Sequence, residues 1–303
     1  MIDLMGLVTC NGNRAFDVTM LIGEGLLFNL YPAWMDAYLS SNIELKYFEN
    51  PTSLAIADLQ AYTVDFGAVT GSLAEFTTAT KRDSSDVVQV PVVAYAVTVG
   101  YNIPGLLGKG ALVLNLTTLA DILLGTVGTW NHAAIRELNP TLTSLLPSAP
   151  ITVALPGQTP LIMRVLIKSL RAASALFDQT VGPDDDNLHL PIQDTGRLVI
   201  NVSDPTPTLS STTNAMGVWL HEKLRLNRKL GVADFVNPAG NRSAINDFSA
   251  DASVVDLING AGAKSWPMAT YHQFIVHHTT MPDCVKARGL VDWIFWTQTD
   301  PTP

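Results

Sequence analysis

The sequence predicts an α/β protein built in layers, with mostly parallel sheets. Three observations predict it. Strand-like and helix-like segments alternate along the chain with no internal repeat, the order that buries parallel strands between helices. The chain has 303 residues, enough for one large or two ordinary domains that bury a core without metal or disulfide staples. Its side chains are 47% hydrophobic and only 15% charged, against about a quarter charged in ordinary soluble domains. Strands covered on both faces need continuous apolar runs, and that requirement lowers the charge.

The elements follow in order. Residues 17–22 read as a short strand, and Gly23-Glu24-Gly25 turns the chain into a helix through Trp34 and Tyr38. A second strand is expected at 43–47. Pro51-Thr52-Ser53 reads as a capped start for a helix over 54–61, because hydroxyls accept from the free N–H groups of a first turn. Residues 65–69 make a third, buried strand. The run 87–101 is long and β-branched, which favours an extended chain. Helices are expected at 116–124 and 132–138, then a strand at 151–154 and a helix at 161–173. Ser265-Trp266-Pro267 leads into a strand at 271–278 and a closing helix that carries Leu290, Val291, Trp293 and Ile294.

Charge and hydropathy exclude several classes. Eighteen basic against 27 acidic residues leave a net charge of −9, and no basic cluster exceeds a pair, so nucleic acid and anionic membranes are not expected partners. Mean hydropathy is +0.23, which raises the question of a membrane span. The uncharged runs 87–108 and 140–163 are broken by Pro91 and Pro104, and by Pro147, Pro150, Pro156 and Pro160. A spanning helix needs about 20 continuous apolar residues, so both runs read as buried strands with turns. The start shows no basic segment followed by an apolar stretch, so the expectation is an intracellular chain or one whose leader has been removed.

Cys10 and Cys284 are the only cysteines: they are two unrelated thiols, or one clasp between the N-terminus and the C-terminal region. The sequons at Asn115, Asn201 and Asn241 would be glycan acceptors in a secreted eukaryotic chain. On a strand, His272 and His278 face one side and His277 the other, with no third ligand at a suitable spacing, so these histidines read as structural and no metal or cofactor is expected. Asp184-Asp185-Asp186 beside Gly182 and Pro183 reads as a solvated loop. Nucleophile-elbow, zincin and P-loop motifs are absent from the sequence. Asp65 opens a buried strand and reads as structural, so no catalysis is expected.

Several segments together resemble the solute-binding protein of the bacterial phosphate importer, the PstS family. The fullest match is Val90-Pro-Val-Val-Ala-Tyr-Ala-Val-Thr-Val-Gly-Tyr-Asn-Ile-Pro-Gly105, followed by Leu119-Ala-Asp-Ile-Leu-Leu-Gly-Thr-Val-Gly-Thr-Trp-Asn-His-Ala-Ala-Ile-Arg-Glu-Leu-Asn-Pro140. Thr63-Val-Asp-Phe-Gly-Ala68 and Ser265-Trp-Pro267 match two further blocks, and Gly23-Glu-Gly25 with Phe28 and Trp34-Met-Asp-Ala-Tyr38 match the opening one. The resemblance covers about residues 17–296. It implies a two-lobed, type II periplasmic-binding-protein clamshell of α/β class, with mostly parallel sheets, a double-crossing hinge and a ligand cleft. Lobe I would hold residues 1–100 and 245–303, and lobe II residues 101–244. Ends of parallel strands faced by helix N-termini suit a ligand on physical grounds.

The resemblance also implies four ligand loops. In the first, Gly25, Leu27 and Phe28 take the family's positions, with Leu27 where the family has a hydroxyl. In the second, Thr52 and Ser53 keep hydroxyls at a helix start, but the family's glycines are gone. In the third, Thr70 replaces a proton-accepting Asp. In the fourth, Pro156-Gly157-Gln158-Thr159-Pro160 stands where the family has an Arg, an Asp and hydroxyls, so Gln158 and Thr159 are the remaining donors. Burying a phosphate dianion takes many aimed donors and a balancing cation, so this set suits a neutral polyol or a weakly charged oxyanion better. The expected function is a non-catalytic, extracytoplasmic solute-binding domain, for phosphate or a related small solute at an altered site. The competing expectation is a ligand-free scaffold or adhesion module that keeps the fold for protein–protein contacts.

Overall fold

The computed structural model describes residues 17–23, 30–38, 43–49, 52–70, 86–157, 160–182, 189–201, 204–245, 257–281 and 283–299. The chain divides into two compact units, residues 1–94 with 271–303, and residues 95–270. It passes between them twice, once inside a strand near residue 94 and once inside a strand near residue 270.

The first unit starts β1 (Asp17–Gly23), α1 (Leu30–Ala37), β2 (Ile43–Glu49), α2 (Thr52–Gln60) and β3 (Phe66–Thr70), and takes the beginning of β4 (Val87–Asn102). The second unit holds the rest of β4, then β5 (Val113–Asn115), α3 (Leu116–Leu123), α4 (Ala133–Leu138), β6 (Thr152–Pro156), α5 (Pro160–Ala173), α6 (Ala175–Val181), β7 (Leu198–Asn201), α7 (Thr206–Ser211), β8 (Ala215–Leu220), α8 (His221–Arg225), β9 (Gly231–Val232), β10 (Asp234–Val236) and β11 (Arg242–Ser243). β12 (Ala269–His277) returns the chain to the first unit, where α9 (Cys284–Thr299) closes it.

In the first unit β2, β1 and β3 run parallel, and β12 joins β3 antiparallel. The second unit repeats this scheme: β7, β6 and β8 are parallel, with β4 antiparallel to β8. A small separate sheet pairs β5 with β10 in parallel and β10 with β11 antiparallel.

Alternation along β3 and β12 sorts the first unit's core onto two faces. Phe66, Ala68, Phe274 and Val276 pack with Tyr31 and Trp34 of α1 and with Leu290, Trp293 and Ile294 of α9. Val69 and Ile275 turn the other way, onto Ala55, Ile56 and Leu59 of α2. Trp293 is the hub of the first face, its ring 4.9 Å from Phe274 and 5.0 Å from Phe66. The glycine of the Asp65-Phe66-Gly67-Ala68 block has a steric reason: a Cβ at Gly67 would lie 2.8 Å from Ile275 Cγ1. Cys284, the first residue of α9, is disulfide-bonded, which decides against two unrelated thiols. Cys10, the other cysteine, lies outside the described residues, as do Asp184, Asp185 and Asp186.

In the second unit, the Trp130 indole donates to Asn214 O at 2.9 Å and the Trp266 indole to Val97 O at 2.8 Å. Asn139, buried at the end of α4, accepts from Val113 N and donates to Val113 O and Ile135 O, each at 2.8 Å. One side chain thus ties the Trp-Asn-…-Leu-Asn-Pro block to β5. Asn139→Ala would leave these backbone groups buried and unpaired, and urea denaturation should register a loss of about 2–3 kcal/mol.

The boundaries differ modestly from expectation. The first helix already begins at Leu30, α2 begins at Thr52, and the strand expected at 151–154 runs to Pro156. Asn115 caps α3, its Oδ1 accepting from Thr118 N at 2.7 Å.

Candidate functional site

Each unit offers an edge where its parallel strands end. In the first unit, Gly23 of β1 is in register with Glu49 of β2 and Ala68 of β3, so Thr70 stands two residues beyond this row as the last residue of β3. Thr52 and Ser53 form the first turn of α2 just after β2. Gly25, Leu27 and Phe28, in the loop from β1 to α1, lie outside the described residues.

Thr70 is fully buried. Directly opposite it in register stands His272 of β12, also fully buried. Alternation turns both side chains to the α1 face, the face of Phe66, Ala68, Phe274 and Val276. The Tyr31 hydroxyl is hydrogen-bonded to His272 Nδ1, and the two rings lie 5.5 Å apart. Burial pushes the His272 imidazole down to about 3, so near neutral pH it carries no charge. Its Nε2 has no hydrogen-bond partner among the described residues. The pair at this strand end is therefore polar and uncharged.

The titratable groups at the opposite end of these two strands are engaged in structure. Lys286 of α9 contacts both carboxylate oxygens of Asp65, at 3.2 and 3.3 Å, in keeping with the structural reading of Asp65. His277 turns to the α2 face, its Nε2 donating to Leu59 O at 2.8 Å and its Nδ1 lying 3.0 Å from Asp86. The Tyr62 ring stacks on it at 4.4 Å. Burial opposes ionisation of Asp86, but hydrogen bonds from the Thr279 hydroxyl and N–H, from Thr280 and from His277 outweigh it and hold the carboxyl below its usual range. His272 and His277 thus face opposite sides of β12, with separate structural partners. Among the described residues no three His, Cys, Asp or Glu side chains gather as a metal site.

In the second unit, β6 ends at Pro156, in register with Asn201 of β7. Pro156 is buried, Gly157 is exposed, and Pro160 opens α5. Gln158 and Thr159 lie outside the described residues. Pro156, which the resemblance sets against the family's cation, is thus a buried strand-end proline. Sequence reading missed β8 altogether, although it lies beside β6 and reaches the same edge. The run Ala-Met-Gly-Val-Trp-Leu is apolar and follows Asn214, whose φ is +61°; those two features were the available signal.

The profile of the PBP superfamily domain matches residues 22–298. The chain belongs to this superfamily. Within it the chain is PstS-like: the phosphate-binding protein PstS of Xylella fastidiosa is 23% identical over 91% of this chain and 76% of its own length. An ABC-type phosphate transport receptor from Vibrio cholerae shares the fold at 10% identity, with a TM-score of 0.57 over 92% of this chain and 94% of that one. That likeness gives the domain the type II periplasmic-binding-protein fold. The superfamily and fold are those of non-catalytic solute-binding proteins. Another relative is an Acanthamoeba polyphaga mimivirus protein named as a serine/threonine-protein kinase/receptor (R826), 29% identical over 99% of this chain. This chain spans about a fifth, 19%, of that relative's length. Among the described residues no helix is long and apolar enough to cross a membrane.

Proposed function

We propose that this PBP domain is a non-catalytic, extracytoplasmic solute-binding module whose site has moved away from the phosphate dianion toward a neutral or weakly charged small solute. One observation carries the reading. At the end of the first unit's parallel strands, where the resembled family places a proton-accepting Asp, two fully buried and uncharged side chains stand in register, Thr70 and His272. A buried dianion needs a balancing cation, and a neutral imidazole beside a hydroxyl supplies none. Pro156 and Pro160 reinforce this at the other unit's edge, since neither side chain is a donor and a proline has no N–H to offer. In this reading Gly25, Leu27, Phe28, Thr52, Ser53, Thr70, Gln158 and Thr159 meet the solute through hydroxyl, amide and backbone groups, and the two units serve as the lobes.

The disulfide at Cys284 supports a place outside the reducing cytoplasm. A second reading, a scaffold or adhesion module without ligand, draws support from the mimivirus relative, in which a domain of this kind is a small part of a longer protein. Restoring the family residues tests the site assignment. Thr70→Asp, Pro156→Arg and Pro160→Ser combined should raise phosphate affinity at least tenfold in calorimetry. A triple variant that folds without gaining affinity would refute the assigned loop positions. Pull-down of a protein partner by a wild type that gives no heat with any small solute would favour the scaffold.

A further inference from the structure

The second unit carries a set of buried polar atoms that the protein itself does not pair. Among the described residues, Thr98 Oγ1, Thr206 Oγ1, Trp219 Nε1 and His221 Nδ1 are buried and have no hydrogen-bond partner. Four separate elements supply them, and strand register with helix position turns them to one side of the sheet. Thr98 of β4 is in register with Trp219 of β8, two steps from the pair Gly100 and Gly217. A Cβ at Gly100 would meet Leu209 of α7 and Leu224 of α8, and one at Gly217 would meet Leu209. Alternation therefore turns Thr98 and Trp219 toward α7 and α8 as well. On those helices Thr206 stands one turn before Leu209 and His221 one turn before Leu224, so each shares the sheet-facing side of its helix.

These positions also share an edge. β8 is parallel to β6, with Ala154 opposite Gly217, so Trp219 lies level with Pro156, where the loop carrying Gln158 and Thr159 departs. Thr206 and His221 each open a helix that follows a parallel strand of the same sheet. Thr98 is fully buried and Trp219 is 7% exposed, whereas Thr206 and His221 are half-buried. Leaving four such atoms unpaired would cost about 1–3 kcal/mol each, so an occupant that pairs them is favoured.

We propose that this set is a recognition subsite for a small neutral polyhydroxy compound, a sugar or polyol. The inference rests on the solute-binding reading above and names the chemistry of its ligand. An indole N–H only donates, threonine hydroxyls both donate and accept, and an imidazole nitrogen does either, which matches ligand hydroxyls that accept and donate in turn. The indole ring offers an apolar face to the C–H groups of such a compound. Burial and the neighbouring charge of Arg225 push His221 toward its neutral form, in keeping with an uncharged ligand.

Glucose, ribose and myo-inositol are the probes, titrated at millimolar concentration into protein labelled with ¹⁵N at its indoles. The Trp219 resonance is assigned as the one missing from Trp219→Phe, which keeps an aromatic ring and drops the donor. The expected result is a saturable shift of that resonance with at least one probe. Thr98→Val, with a melting temperature no lower than that of wild type as the control for folding, should weaken binding at least tenfold. If a probe gives calorimetric heat while the Trp219 resonance stays still and Thr98→Val binds normally, the domain binds solutes elsewhere and the subsite is wrong. If no probe gives heat or a shift, the four atoms hold only water, and both this inference and the neutral-solute reading fail.

Discussion

Acidification below pH 6.5 should weaken the wild-type protein by up to about 1.4 kcal/mol per pH unit through His272 alone, and His272→Gln should remove that component. The unfolded histidine takes up a proton near its ordinary value of 6.5, whereas burial holds the folded one at about 3. Between those values the unfolded state binds a proton that the folded state refuses, so stability is complete above the window and falls as pH drops through it. Carboxylates add slopes of their own. Asp86 has a depressed folded value, so its contribution is present above its ordinary value of 3.8 and is lost as pH falls below it. The diagnostic quantity is therefore the difference in urea-unfolding free energy between wild type and variant from pH 6.5 to 4.5, above the Asp86 window. A constant difference across that range would mean that His272 charges freely in the folded protein.

The second large effect belongs to the same face of the first unit. Trp293→Ala should cost about 3–5 kcal/mol, the range for deleting a large buried aromatic. Trp293 is fully buried, and its ring touches both Phe66 and Phe274 at centroid distances near 5 Å, so the deletion removes edge and tilted ring contacts along with apolar area. Phe274 in turn packs on Tyr31, the residue that holds His272. Collapse around the deleted indole should therefore disturb the His272 environment, and the pH slope of Trp293→Ala should be shallower than that of wild type. An unchanged slope with the full loss of stability would show that the two features are independent.

The fold was legible in the sequence where local pattern and motif agreed. Residues 65–69 read as a buried strand because a run of small and apolar residues follows Asp65, and the close approach of Ile275 explains the glycine within it. The block ending in Asn139 and Pro140 was legible as a helix, and its asparagine proved to be the link to β5. By contrast, β7, α7, β8 and α8 escaped, because short apolar runs do not distinguish strand from helix by period. The same short elements carry Thr98's partner Trp219 and the helix starts at Thr206 and His221. Pairs such as Thr70 with His272 are set by strand register between distant parts of the chain, and spacing along one sequence holds no trace of them. The candidate loop residues were assigned by resemblance alone.

The central claim is that the site no longer suits a phosphate dianion, and calorimetric titration of the wild-type chain with inorganic phosphate at neutral pH tests it most directly. The account predicts no binding heat at micromolar phosphate, because the strand ends present Thr70, neutral His272 and Pro156 where a dianion needs cations and an ionised acceptor for its proton. Saturable binding with a micromolar or tighter dissociation constant would contradict it.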